Sequence, residues 1–141
     1  MSGLVAPKTA ELTLLKYIVG KITNVPSGAT SGQILHLYSN NYSPDSNAIY
    51  PASFTEVSIA GYTAQTLTYT NWTWTTDSSG YATAYYGSEI TFSFTAGGSI
   101  YGYYVTDNSQ LLWCEQFAGA PFTMPSPSGG TIAVQPQLQL S

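Results

Sequence analysis

His36 is the one imidazole of the chain and Cys114 its one thiol. Nucleophilic hydrolysis needs a nucleophile, a base and an acid that orients the base. No G-x-S-x-G elbow presents a serine beside His36. His36 sits in the middle of an alternating stretch, and Cys114 lies in an apolar one with no motif around it. Both suit structural roles better than a catalytic dyad. Glycoside hydrolysis needs two carboxylates facing each other across a cleft. The body of the chain offers Asp45, Glu56, Asp77, Glu89, Asp107 and Glu115. The three Asp fall in turn contexts, where a short carboxylate serves the backbone. The three Glu fall on strands, and their spacing alone brings no pair together. One His and one Cys do not make a zinc site. No D-x-[DN]-x-[DN]-G loop, P-loop or dinucleotide glycine motif occurs. The expectation is a protein without catalytic residues, metal ligands or cofactor, and so not an enzyme.

Aromatic side chains are the other chemistry on offer. Twelve Tyr and three Trp stand among 141 residues. Trp72, Trp74, Tyr81, Tyr85 and Tyr86 cluster in sequence and form a possible aromatic contact surface, of the kind that stacks on sugars or on another protein. The same rings also suit a core in which Tyr packs its ring and keeps its hydroxyl wet.

The elements that would position these groups are mostly strands. Residues 2–8 read as an extended arm. Thr9 is a fitting N-cap, with Glu11 in the first turn. Leu12, Leu15, Ile18, Val19 and Ile22 then recur at helical spacing, which predicts one helix over about residues 10–21. Residues 24–32 form a Gly/Ser/Pro loop. Beyond it the period changes to two. Strands are expected over Ile34 to Ser39, Ser53 to Ile59 and Gln65 to Thr75, the last with a break near Thr70-Asn71. Others follow over Tyr81 to Tyr86, Glu89 to Thr95, Ile100 to Thr106, Leu111 to Phe117 and from Thr131 to the end. The pair 100–106 and 111–117 is apolar on both faces and reads as two central strands. Pro136 makes the last strand an edge or breaks it. This count predicts a mainly β fold, an antiparallel two-sheet β-sandwich, jelly-roll-like, with one short N-terminal helix. The organisation expected is an arm and helix over 1–22 and a β-sandwich domain over 33–141.

Charge is scarce and unevenly placed. Charged side chains make up 7% of the chain, and the formal net charge is −4. All three Lys, at positions 8, 16 and 21, lie in the arm and helix, and there is no Arg. A chain so poor in cations is not built to neutralise nucleic-acid phosphates. No run of about 18 apolar residues suits a membrane helix, and the N-terminus does not have the form of a signal peptide. The arm and helix are therefore the expected docking element. Leu4, Val5, Leu12, Leu15, Ile18 and Val19 supply apolar contacts there, and Lys8, Lys16 and Lys21 supply charge.

Several stretches carry a family likeness. They are Glu11-Leu-Thr-Leu-Leu-Lys, Leu37-Tyr-Ser-Asn-Asn, Ile90-Thr-Phe-Ser-Phe, Ile100-Tyr-Gly-Tyr-Tyr-Val-Thr-Asp, Leu111-Leu-Trp-Cys-Glu-Gln-Phe, Pro121-Phe and Thr131-Ile-Ala-Val-Gln-Pro-Gln-Leu-Gln-Leu-Ser. Over nearly its full length the chain resembles small virion structural proteins of tailed bacteriophages, cyanophages included. These are packing and turn motifs, so the likeness implies a structural part and no chemistry. It implies a head-decoration (cement) protein on the capsid surface, made in the host cytoplasm. The implied partner is the major capsid protein or another virion protein, within a homo-oligomer, a trimer suiting threefold sites. The other expectation is a tail or host-attachment module that binds surface glycans through exposed Tyr and Trp.

Overall fold

Residue 15 and residues 33–45, 47–76, 78–107 and 109–140 are described in a computed structural model of the chain. The arm and helix expected over 1–22 lie outside the described residues, save Leu15. That residue is helical and fully buried.

Strands β1 (Gln33–Tyr38), β2 (Gln65–Thr66), β3 (Trp72–Thr76), β4 (Ala82–Tyr86), β5 (Ile90–Phe94) and β6 (Gly98–Ile100) come first. They are followed by β7 (Gly102–Asp107), β8 (Gln110–Gln116), β9 (Phe122–Met124), β10 (Gly130–Val134) and β11 (Gln137–Leu140). A 3-10 turn, Tyr69–Asn71, stands before β3. The described chain is thus mainly β, and every strand pairing in it is antiparallel.

The strands divide between two compact units, and the chain passes back and forth between them. The larger unit takes residues 32–67 and 90–134. It holds a four-stranded sheet in the order β2-β1-β7-β8 and two strand pairs, β5 with β10 and β6 with β9. The smaller unit takes residues 68–89 and 135–141 together with residues 1–31. Its described sheet runs β11-β4-β3.

In the four-stranded sheet the register pairs Leu35 with Val105, His36 with Tyr104 and Leu37 with Tyr103. One face carries Leu35, Leu37, Tyr103 and Val105, all buried. The other carries His36, Tyr38, Tyr104 and Cys114. A strap of chain, residues 39–64, runs from the end of β1 to β2 and brings Phe54 onto this second face. The Phe54 ring stacks on Tyr104 with centroids 4.4 Å apart and meets Tyr38 edge-on at 5.2 Å. Tyr42, Ala48 and Tyr50 of the same strap complete the cluster.

Four expectations are refined by this arrangement. Ser53 to Ile59 is not a full strand. It bridges β1 at one point, Tyr38 with Glu56, because the turn bonds Ser53 N to Ile49 O and Phe54 N to Pro51 O bend the chain just before it. The long stretch Gln65 to Thr75 does break, and the break is the 3-10 turn, which leaves only Gln65–Thr66 paired with β1. β7 is central, but β8 is the outer strand of its sheet. Leu111 and Cys114 pack on the aromatic cluster that the strap completes, and Leu111 to Cys114 line a groove rather than facing a further described strand. Last, the chain does break at Pro136, and β10 and β11 on either side of it enter different sheets.

Candidate functional site

A connected polar cluster is built on β1. Along its outer edge, β2 pairs only with Ile34 and Leu35, and the strap pairs only near Tyr38. The gap between them leaves the Leu37 N–H without a strand partner. The Tyr62 hydroxyl fills it, accepting from Leu37 N at 3.0 Å and donating to Glu56 Oε1 at 3.0 Å. One side chain thus replaces a missing backbone carbonyl.

Glu56 Oε1 also takes His36 Nδ1 at 2.8 Å. A carboxylate at Nδ1 selects the tautomer with its proton there. Nε2, in the neutral ring, is then an acceptor. Its partner is the Thr106 hydroxyl on β7, 3.0 Å away. The imidazole lies flat on the Tyr104 ring, with centroids 4.6 Å apart and planes at 8°. Burial holds the phenols of Tyr38, Tyr62 and Tyr104 well above their ordinary pKa, so all three stay neutral hydroxyls.

Hydroxyl, imidazole and carboxylate therefore stand in the order of a hydrolytic triad. Geometry alone does not make one: the hydroxyl must reach a substrate carbonyl. Thr106 is 3% exposed and His36 is 7% exposed. Tyr104 closes one side of the ring, and the strap closes the face. What the cluster does in this arrangement is tie the strap to two strands of the sheet.

A second feature of the larger unit is an open groove of about 480 Å³ lined by Pro44, Asp45, Ala48 and residues Leu111 to Cys114 of β8. Asp45 Oδ1 accepts the Asn47 N–H at 2.9 Å and the Tyr42 hydroxyl at 3.4 Å, which fixes the carboxylate at the groove. Burial pushes the Cys114 thiol up from its ordinary pKa, and the Asp45 charge adds to the push. Cys114 is thus a thiol rather than a thiolate near neutrality. Ile49, next to the groove in sequence, is 62% exposed.

The aromatic residues singled out by sequence lie in the smaller unit and fall on different faces. Trp72 is 2% exposed and packs edge-on against the buried Tyr86 at 5.4 Å. Trp74 shares their parity, opposite Ala84, and is half-buried. Tyr85 is half-buried on the other face, level with Thr73 and Gln137. Tyr81 is 40% exposed. A second groove of about 480 Å³ is bounded by Thr70, Trp72, Thr73 and Trp74. Of the docking residues read from the sequence, Leu15 is fully buried and so offers no exposed docking surface, and Leu4, Val5, Lys8, Leu12, Lys16, Ile18, Val19 and Lys21 lie outside the described residues.

Sequence reasoning weighed His36 and Glu56 separately and passed over Tyr62 and Thr106. Thr106 is 70 residues from His36, and only the β1–β7 register brings the two together. No local signal marks that pairing.

Among the described residues no group of three or more His, Cys, Asp or Glu side chains could hold a metal ion, and no helix is long and apolar enough to cross a membrane. The chain matches no protein-family model, no curated protein and no solved structure.

Proposed function

We propose that the protein is a structural component of a tailed-phage virion, a capsid cement or decoration protein that bridges and stabilises capsid subunits. Its partners in this reading are the major capsid protein or another virion protein and further copies of itself, a trimer suiting threefold positions. It sits on the capsid surface after synthesis in the host cytoplasm. Its strands form an antiparallel two-sheet sandwich, jelly-roll-like, with a short helix before it.

The likeness to phage virion proteins raised this reading. The observation that carries it is the strap. A polar cluster that has the order of a triad is buried, and its bonds hold 39–64 against β1 and β7. Cross-linking of this kind suits a part that bears load. The open outer strand β8 suits lateral contact.

The test is decoration of capsids lacking the protein by full-length chain and by a chain without residues 1–22. The full chain is expected to bind at fixed stoichiometry on the capsid, and the shortened one, which loses the buried Leu15 of the smaller unit, to keep the larger unit folded and not bind. A shortened chain that decorates at normal occupancy overturns the docking role of the arm. Full chain found only on tails overturns the cement role.

A tail or host-attachment module that binds surface glycans is the second reading. The groove bounded by Trp72 and Trp74, with Tyr81 exposed in the same unit, favours it. Glycan-array binding that is lost in Trp74→Ala supports it, and the absence of binding to arrays and host cells counts against it.

A further inference from the structure

The edge of β8 has unused backbone capacity. Among the described residues β8 pairs with β7 on one side and with no strand on the other. Phe117 N donates to Tyr101 O, and the register pairs Tyr103 with Glu115 and Tyr104 with Cys114. Antiparallel alternation then turns the main-chain groups of Glu115 toward β7 and those of Cys114 and Gln116 away from it. Among the described residues no backbone hydrogen bond joins Cys114 or Gln116 to another segment on that side. The groove of Pro44, Asp45, Ala48 and Leu111 to Cys114 lies along the same edge. Its lining side chains are apolar except for one fixed carboxylate, more of its exposed surface is polar than apolar, and Glu115 stands exposed nearby.

A backbone edge beside side-chain pockets is the form that strand addition uses. The fitting occupant is an extended segment with small aliphatic side chains and one cation. Every charged residue beyond Lys21 is acidic, so within this chain only the N-terminal segment supplies a cation. Ser2-Gly-Leu-Val-Ala-Pro-Lys8 has the required pattern. In an added antiparallel strand, residues whose main chain faces β8 also turn their side chains to the face that carries Cys114. Pro7 has no N–H, so its parity must face away. In such a strand Leu4, Ala6 and Lys8 would be the residues bonded to β8 and would share the face of Cys114, and Lys8 is opposite in charge to Asp45 of the groove.

We propose that residues 2–8 of one copy add as a strand to the outer edge of β8 in a second copy, so that copies are joined by exchanged arms. This deepens the homo-oligomer part of the reading above and rests on that part alone.

Cys114 is the only cysteine, so it serves as the reporter. Three full-length variants are oxidised under mild conditions: Leu4→Cys, Ala6→Cys and, as the off-face control, Val5→Cys. Paired residues in such a ladder have Cα atoms within disulfide range. The result expected is covalent dimers or larger species from Leu4→Cys or Ala6→Cys, with the bond to Cys114 mapped by mass spectrometry, and far less from Val5→Cys. In sedimentation of the full chain, Lys8→Gln and Asp45→Asn should each weaken self-association about two- to fivefold. A monomer at all concentrations overturns the proposal. So does a bond to Cys114 found only within one chain, equal linkage from all three variants, or an oligomer indifferent to both charge substitutions. Self-association by arm exchange without capsid binding would overturn the cement role and leave this interface standing. Capsid binding by a monomer would do the reverse.

Discussion

Tyr62 does at one position what a whole strand would otherwise do. Its hydroxyl accepts the buried Leu37 N–H and donates to Glu56. Tyr62→Phe keeps the ring, which stacks near Phe92 and Phe94, but leaves a main-chain donor unmet. An unsatisfied buried donor costs about 1–3 kcal/mol, so denaturant unfolding of Tyr62→Phe should show a loss of that size with an unchanged m-value. A loss below about 0.5 kcal/mol would mean that water satisfies Leu37 in its place. Asp107 tells the opposite story. Its Oδ1 is buried and has no hydrogen-bond partner among the described residues, and burial raises its pKa. A carboxyl with a raised pKa in the folded state binds its proton more tightly there than in the unfolded chain. Stability is therefore lost as pH climbs from the unfolded value through the folded one, and the loss persists at neutral pH. Asp107→Asn removes the titration. Its melting temperature should exceed that of the parent at pH 7, and the gap should narrow at pH 3. A gap of equal size at both pH values would remove burial of the charge as the cause.

At the scale of elements, the sheet depends on a glycine at the point where β1, β7 and β8 meet. A methyl group on Gly102 would overlap the Glu115 carbonyl oxygen and the Tyr38 ring. The first is main chain of the neighbouring strand and the second is wedged among Phe54 and Tyr104, so neither yields easily. Gly102→Ala should cost about 2–3 kcal/mol, in the upper range for overpacking, by equilibrium unfolding. A change within 0.5 kcal/mol would show that the Tyr38 ring can move aside. Much of the element pattern was legible beforehand. Ile90, Phe92 and Phe94 alternate with Thr91 and Ser93, and β5 turns Phe92 and Phe94 inward while Thr91 and Ser93 are exposed. Pro136 announced the break between β10 and β11. The strap was not legible, because Phe54, Glu56 and Ser58 alternate with Val57 and Ile59 as a strand would. What stops them from pairing further is a turn closed by main-chain bonds. β8 was misread for a related reason. Apolar residues on both its faces suggest two flanking strands, yet the strap and a groove account for them. The cluster of His36, Glu56, Tyr62 and Thr106 was the least visible. Its members come from two strands and the strap, and only the register sets their distances.

At the scale of the whole molecule, the chain serves two units by turns, and the smaller one is closed by a late strand. β4 lies between β3 and β11. Without β11 it would keep only a hairpin partner, and an isolated two-stranded hairpin is marginal in water. A chain ending at residue 134 should therefore lose amide protection in β3 and β4, while β1 and β7, paired with each other and with strands of the larger unit, keep theirs. Hydrogen exchange with peptide-level mass spectrometry reads both at once. Unchanged protection in β3 and β4 would show that β11 is dispensable. The interleaving itself was not legible, since no linker composition marks residues 67–68 or 89–90, where the chain crosses from one unit to the other.

The late strand also sets an order in time. A ribosome releases β4 long before β11, since Gln137 follows its partner Tyr85 by 52 positions. The strands of the larger unit are all synthesised by Val134, so that unit can close while the smaller one still waits, and contacts between distant residues form slowly in any case. During that interval the edge of β4 that later pairs with β11 is open to the wrong strand. A nascent chain stalled before Pro136 would expose that edge for as long as the stall lasts. Translation speed beyond Val134 is thus a variable that the fold itself makes relevant to yield.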